Sequence, residues 1–128
     1  MAGGLWLSLT YRDADAAAVW LRAIGFTERA VYRDEDDPSV VVHAEMTWPA
    51  GGGVMFGTFR GTDLSWPKQP GTGAGYAVTE DVDGTYAAAL AAGGSSLRPP
   101  ADQDYGGRSA AVADPEGNIW SFGSYEPE

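Results

Sequence analysis

The sequence predicts an α+β fold built from two βαβββ modules, the second a pseudo-repeat of the first. Strand-like and helix-like stretches follow one another in an order that runs through twice. Residues also recur at nearly constant offsets. Asp13, Asp15 and Gly25 are matched by Asp81, Asp83 and Gly93 at a separation of 68, and Pro49, Gly51, Phe56 and Gly57 by Pro115, Gly117, Phe122 and Gly123 at 66. Thr58-Phe59 is echoed by Ser124-Tyr125. Two sets of matches in the same order mark an internal duplication, and each half is too small to close a core alone.

The elements can be justified in turn. Leu5, Leu7 and Leu9 alternate with Trp6, Ser8 and Thr10, the period of a half-buried strand. Asp13 opens a helix in which Ala17, Trp20, Leu21 and Ile24 share one face, and Gly25 stops it. Strands are expected at 27–33 and 40–48 around the acidic turn 34–38, then at 54–59 after the glycines 51–53. Residues 60–72, with Pro67, Pro70 and two glycines, read as a connection. The second pass gives a strand at 73–79 and a helix opened by Asp81 with Val82, Tyr86, Ala89 and Leu90 on one face, ended by Gly93 and Gly94. A short strand at 96–98, a loop at 99–104 and strands at 108–113 and 118–125 complete it. The expected organisation is one domain over 1–128: module 1 at 1–62, a linker at 63–72 and module 2 at 73–128.

Composition narrows the function. Lys plus Arg total 8 against 18 Asp plus Glu, a formal net charge of −10, which disfavours nucleic acid and anionic membranes as partners. The acidity suits a cationic or uncharged small molecule. The chain has no cysteine, which removes disulfides, thiolate nucleophiles and zinc–sulfur sites. No apolar run approaches the roughly 20 residues of a membrane span, and no basic-then-apolar leader is seen, so a cytoplasmic location is expected.

Four stretches carry a resemblance. Asp114-Pro115-Glu116-Gly117-Asn118-Ile119-Trp120 enters the last strand, Tyr105-Gly106-Gly107-Arg108-Ser109 precedes it, Asp81-Val82-Asp83 opens the second helix, and Leu21-Arg22-Ala23-Ile24-Gly25-Phe26 ends the first. Together they resemble the vicinal-oxygen-chelate superfamily of glyoxalases, bleomycin-resistance proteins and extradiol dioxygenases, closest to its drug-binding branch. The resemblance spans essentially the whole chain. It implies that the strands of each module curl into a mixed sheet around a concave cleft, and that drug-binding members are homodimers with pockets between subunits. Physically, the Asp114–Gly117 turn explains itself: Asp accepts backbone N–H groups, Pro presets φ and Gly leaves with positive φ. Those residues are read as structural.

Enzymes of this superfamily bind a divalent metal through the first and last strands of each module. The positions that match here are Trp6, Ala74, Met55 and Ser121, none a His, Asp or Glu. One thioether and one hydroxyl do not make a site for a hard or borderline ion. Neither a metal nor any other cofactor is therefore expected.

The remaining chemistry is sparse. His43, the single histidine, shares a strand face with Glu45, which could make an acid–base pair or a partial metal site but is more simply read as a solvent-facing or hydrogen-bonded pair opposite Val42, Ala44 and Met46. Arg98 and Arg108 flank Asp102 and Asp104 and read as surface ion pairs; Arg12-Asp13 reads as helix capping. No catalytic residue is assigned.

The aromatic residues are more informative. Strand parity turns Leu5, Leu7, Leu9, Val54, Phe56, Trp120 and Phe122 toward the core and leaves Trp6, Ser8, Met55, Gly57, Phe59, Tyr76, Val78, Ser121 and Gly123 on the concave side. Rings beside small residues build a slot for a flat ligand. Trp66 in a Pro-flanked linker is a candidate lid. The expected binding set is Trp6, Ser8, Met55, Phe59, Trp66, Tyr76, Tyr105 and Ser121. The leading expectation is a homodimer that sequesters a small, largely planar aromatic antibiotic (bleomycin-, mitomycin- or intercalating-peptide-like), conferring resistance without turnover. One alternative is a metal-dependent glyoxalase- or dioxygenase-type enzyme with a site near His43 and Glu45. Another is an interaction module with no small ligand, its concave rings fully packed.

Overall fold

Each helix begins where an aspartate can cap it. In the computed structural model, which describes residues 4–61 and 64–127, the elements are β1 (Trp6–Tyr11), α1 (Ala14–Ile24), β2 (Thr27–Arg33), β3 (Val41–Thr47), β4 (Gly53–Thr58), β5 (Ala74–Val78), α2 (Val82–Ala91), β6 (Ser95–Asp102), β7 (Arg108–Ala113) and β8 (Ile119–Gly123). Asp13 accepts from the Ala16 N–H at 3.0 Å, and Asp81 accepts from the Gly84 N–H at the same distance. Gly25, at φ +125°, ends α1, and its N–H bonds the Arg22 carbonyl at 3.1 Å.

The strands form two four-stranded mixed sheets of identical plan, β1-β4-β3-β2 and β5-β8-β7-β6, each with one parallel pair. The registers reproduce the duplication. Trp6 pairs with Gly53 and Ala74 with Ile119; Ser8 pairs with Met55 and Tyr76 with Ser121. These are the 68- and 66-residue offsets read from the sequence, now as Cα partners. The fold is the expected α+β pair of βαβββ units.

One face of both sheets packs on the helices. Leu9, Ala44, Met46, Val54, Phe56, Val112, Trp120 and Phe122 are buried there with the α1 stripe Ala14, Ala17, Trp20, Leu21 and Ile24. The Trp20 indole N–H crosses to the Ala89 carbonyl of α2 at 3.1 Å, and Phe26 sits between the rings of Trp48 (4.9 Å) and Trp120 (5.5 Å). Where β1 meets β5, a Cβ at Gly75 would lie 3.0 Å from Leu7, and one at Gly73 would overlap Leu9. The two halves thus share a single aromatic core.

Three expectations are corrected. Leu5 is 87% exposed, because β1 begins only at Trp6. Val42 is exposed rather than inward: β3 carries it as an extra residue between the Arg33–Val41 and Tyr32–His43 pairs, a bulge that puts Val41 in the core instead. The loop expected at 99–104 is largely strand. β6 continues through Pro99-Pro100 to Asp102, which is possible because it is an edge strand and its register shifts between Arg98 and Ala101, where two prolines without N–H groups need no ladder partner.

Candidate functional site

The concave face of the first sheet is roofed by the linker. Ser8 of β1, Met55 of β4, His43 of β3, Phe59 just past β4, and Arg60 and Trp66 of the connection are among the residues lining a cavity of about 510 Å³. That volume lies within the range of small-molecule sites. Trp66 stays 54% exposed, an indole placed over a recess rather than packed into the core. Behind the Phe59 ring, the Arg12 guanidinium lies 6.0 Å from its centroid. The end of β4 is fixed at this point by the Phe59 N–H to the Tyr11 carbonyl (2.8 Å) and the Val41 N–H to the Thr58 hydroxyl (2.9 Å).

His43 presents a defined face. Its Nε2 lies 2.9 Å from Glu45 Oε2, and the Tyr32 ring stacks at 6.2 Å and 29°. In the tautomer that carries its proton on Nε2, the ring donates to Glu45. Glu45 is shared, since Arg29 lies 3.5 Å from its other oxygen. The pair can polarise a hydroxyl or amide. A third acid–base or metal-ligating group is not beside it, for among the described residues no three His, Asp or Glu side chains converge.

The superfamily's metal does not fit these residues. Trp6 lies opposite Gly53, Met55 opposite Ser8, Ala74 opposite Ile119, and Ser121 opposite Tyr76. An indole, a methyl, a thioether and a hydroxyl lack the imidazole or carboxylate donors such an ion requires.

The expected binding set does not converge on one cup. Ser8, Met55, Phe59 and Trp66 line the roofed cavity. Trp6 and Tyr76 line a second one of about 600 Å³ at the β1–β5 seam, with Leu7, Phe26, Trp48 and Trp120. There the Trp48 indole N–H donates to the Val78 carbonyl at 2.8 Å. Tyr105 and Ser121 line neither cavity. The Tyr105 ring packs edge-on against Tyr125 at 5.3 Å, and the Tyr76 hydroxyl donates to the Tyr125 carbonyl at 2.6 Å. Burial pushes the Tyr76 phenol up, with smaller pushes from Tyr105 and Tyr125.

The duplication explains the asymmetry. Ser8 and Tyr76 are repeat equivalents, as are Gly57 and Gly123. On the second sheet the Tyr76 phenol lies over Gly123, where any Cβ would collide with it. On the first sheet a serine leaves that volume open. The equivalent space on the first sheet, beside Ser8 and Gly57, belongs to the roofed cavity, while Tyr76 itself lines the second one.

Arg60 and Lys68, which also line the roofed cavity, were not singled out by sequence. The signal that could have found them is scarcity: Lys68 is the sole lysine of the chain.

The sequence matches the family model described as the Glyoxalase/Bleomycin resistance protein/Dioxygenase superfamily over residues 5–122. No curated protein sequence matches it. Among solved structures, TioX from Micromonospora sp. ML1 is similar at 26% identity and a TM-score of 0.77, covering 97% of this chain and 99% of that one. A bleomycin resistance determinant encoded on transposon Tn5 is similar in fold at 21% identity and a TM-score of 0.65, covering 98% and 99%. A bleomycin-binding protein complexed with bleomycin gives 22% identity and a TM-score of 0.61, covering 97% and 99%. The conserved plan of two βαβββ sheets, the Asp114–Gly117 turn and the family match over nearly the whole chain agree: this protein belongs to the glyoxalase/bleomycin resistance protein/dioxygenase superfamily.

Proposed function

We propose that this protein binds and sequesters a small, largely planar aromatic antibiotic in the cavity beneath the linker, without chemical turnover. The observation that carries the reading is the wall of that cavity, where Met55 stands at a position that would hold a metal ligand in a superfamily enzyme, with Phe59 and Trp66 beside it. Apolar burial at roughly 25 cal/mol per Å² and ring stacking of about 0.5–1.5 kcal/mol would supply the affinity. The resemblance in fold to a bleomycin-binding protein and a bleomycin resistance determinant supports the same use of the scaffold, with glycopeptide, mitomycin-type or intercalating-peptide ligands as the first to try. A cytoplasmic homodimer, its second subunit covering the open side of the cavity, accords with this role.

Titration of such compounds against tryptophan fluorescence, with mass spectrometry of the recovered ligand, tests the proposal. Saturable quenching at micromolar concentration by an unmodified compound is expected. Absence of quenching across the panel, or conversion of the ligand, sinks it.

The pair that Glu45 makes with His43, which lines the cavity, favours a second reading, a metal-dependent enzyme. The carboxylate is already engaged by His43 and Arg29, so a metal would have to displace an ion pair. A rise in melting temperature with Mn²⁺, Ni²⁺ or Zn²⁺, abolished by His43→Ala, would support that reading.

A further inference from the structure

Two of the eight Lys and Arg residues of this acidic chain line the roofed cavity, beside its one histidine. The chain carries 8 Lys plus Arg against 18 acidic residues, yet its only lysine, its only histidine and Arg60 all line this one recess. No Asp or Glu is among the described residues lining it. The Arg12 guanidinium lies 6.0 Å from the Phe59 ring but does not itself line the cavity.

Two of the lining groups already have acid partners, and Lys68 does not among the described residues. Arg60 has Asp34 at 3.6 Å, an exposed pair longer than a hydrogen bond. Glu45 lies 2.9 Å from His43 but is shared with Arg29. Glu116 bonds the Arg12 and Asp13 backbone N–H groups, away from the Arg12 guanidinium. Lys68 donates to the Thr72 carbonyl at 3.3 Å and is paired with no carboxylate among the described residues. Lys68, with no counter-ion among the described residues, lines a recess walled by Met55, Phe59 and Trp66, where the field of a fixed charge is focused rather than dispersed in water. A cationic ligand entering here would meet like charge. An anionic one would find the counter-ions that burying its charge requires.

We infer that the ligand of this cavity is a planar aromatic anion, its rings against Phe59, Met55 and Trp66 and its acidic group toward Lys68 and Arg60. The inference rests on the aromatic-binding reading above and fixes the sign of the charge. It reverses the expectation from net charge, because a sum over the whole surface does not describe one recess.

Calorimetric titration with three near-isosteric probes tests it: 2-naphthoate, 2-naphthamide and 2-naphthylmethylammonium, each with wild-type protein, Lys68→Gln and Arg60→Gln. Naphthoate should bind about tenfold or more tightly than the amide, and the ammonium most weakly. Lys68→Gln should remove most of the naphthoate preference while leaving amide affinity within about twofold, and Arg60→Gln should act the same way to a smaller extent. Amide binding without a naphthoate preference, ammonium binding as tight as naphthoate, or a preference that survives both substitutions would overturn the inference while leaving aromatic binding intact. Failure of all three probes to bind at millimolar concentration would overturn the aromatic-binding reading, and this inference with it.

Discussion

The Tyr11 hydroxyl donates a 2.6 Å hydrogen bond to Asp114 Oδ2 across 103 residues of sequence, tying the end of β1 to the turn before β8. Asp114 is 4% exposed and also accepts from the Trp120 indole N–H (3.2 Å), the Asn118 side-chain amide (3.0 Å) and the backbone N–H groups of Glu116 and Asn118 (3.0 Å each). Burial, reinforced by the Asp114 charge, drives the Tyr11 phenol well above its ordinary range, so it remains a donor at any working pH. Tyr11→Phe removes one donor from a carboxylate that keeps the others, and should cost about 1.5–3 kcal/mol. Asp114→Ala strands several buried donors at once and should cost more than Tyr11→Phe. Urea denaturation of both variants checks the order; the reverse order would refute a hub centred on Asp114.

Trp6 is seated on a glycine. A Cβ at Gly53 would lie 2.6 Å from the Trp6 ring and would overlap the Met46 backbone carbonyl, which cannot rotate away. Gly53→Ala should therefore destabilise by roughly 1–3 kcal/mol and move the Trp6 ring, altering tryptophan emission. Unchanged stability and emission would mean that the seam between β1 and β4 relaxes at no cost.

The duplication was legible because turns and caps demand particular residues. Asp13/Asp81 and Gly25/Gly93 sit at helix ends, and Pro49/Pro115 and Gly51/Gly117 sit in tight turns, so their spacing survives where core residues drift. Bulges left no such trace. One extra residue at Val42 inverts strand parity without changing composition, and Pro99-Pro100 looks like a loop until the strand is known to be an edge. Parity and the Pro-flanked linker group Ser8, Met55, Phe59 and Trp66, and these four line one cavity. Parity assigns a face, though, and does not tell whether two faces join. Trp6 and Tyr76 share that parity and line a second cavity at the β1–β5 seam instead.

The Asp15–Arg33 pair predicts a pH dependence with a definite sign. Arg33 donates to both carboxylate oxygens of Asp15, at 2.7 and 3.2 Å, and this hydrogen bonding first, the guanidinium charge second, lowers the Asp15 pKa. A depressed folded-state pKa means that the stabilisation is fully present above the unfolded value and is lost as pH falls through the folded one. An NMR titration should show Asp15 protonating below the ordinary aspartate range in the wild type. In Arg33→Gln its midpoint should rise toward that range. An unmoved midpoint would show that the pair does not persist in solution.

Trp66 separates binding from stability more cleanly than any other ring in the chain. It is 54% exposed on the linker, whereas Trp20 is 2% exposed between the two helices with its indole N–H bonded to Ala89. Trp20→Ala should cost about 3–5 kcal/mol, the usual range for deleting a buried ring. Trp66→Ala forfeits little folding energy and should shift Tm by no more than about 2 °C. If the linker indole covers a bound aromatic ring, the same change removes stacking and apolar contact worth on the order of 1.4 kcal/mol and lowers affinity about tenfold. Trp66→Phe, which keeps a ring, should recover part of that loss. Melting curves and ligand titrations on the three variants decide the matter: an unchanged affinity in Trp66→Ala would mean that the roof of the cavity takes no part in holding the ligand.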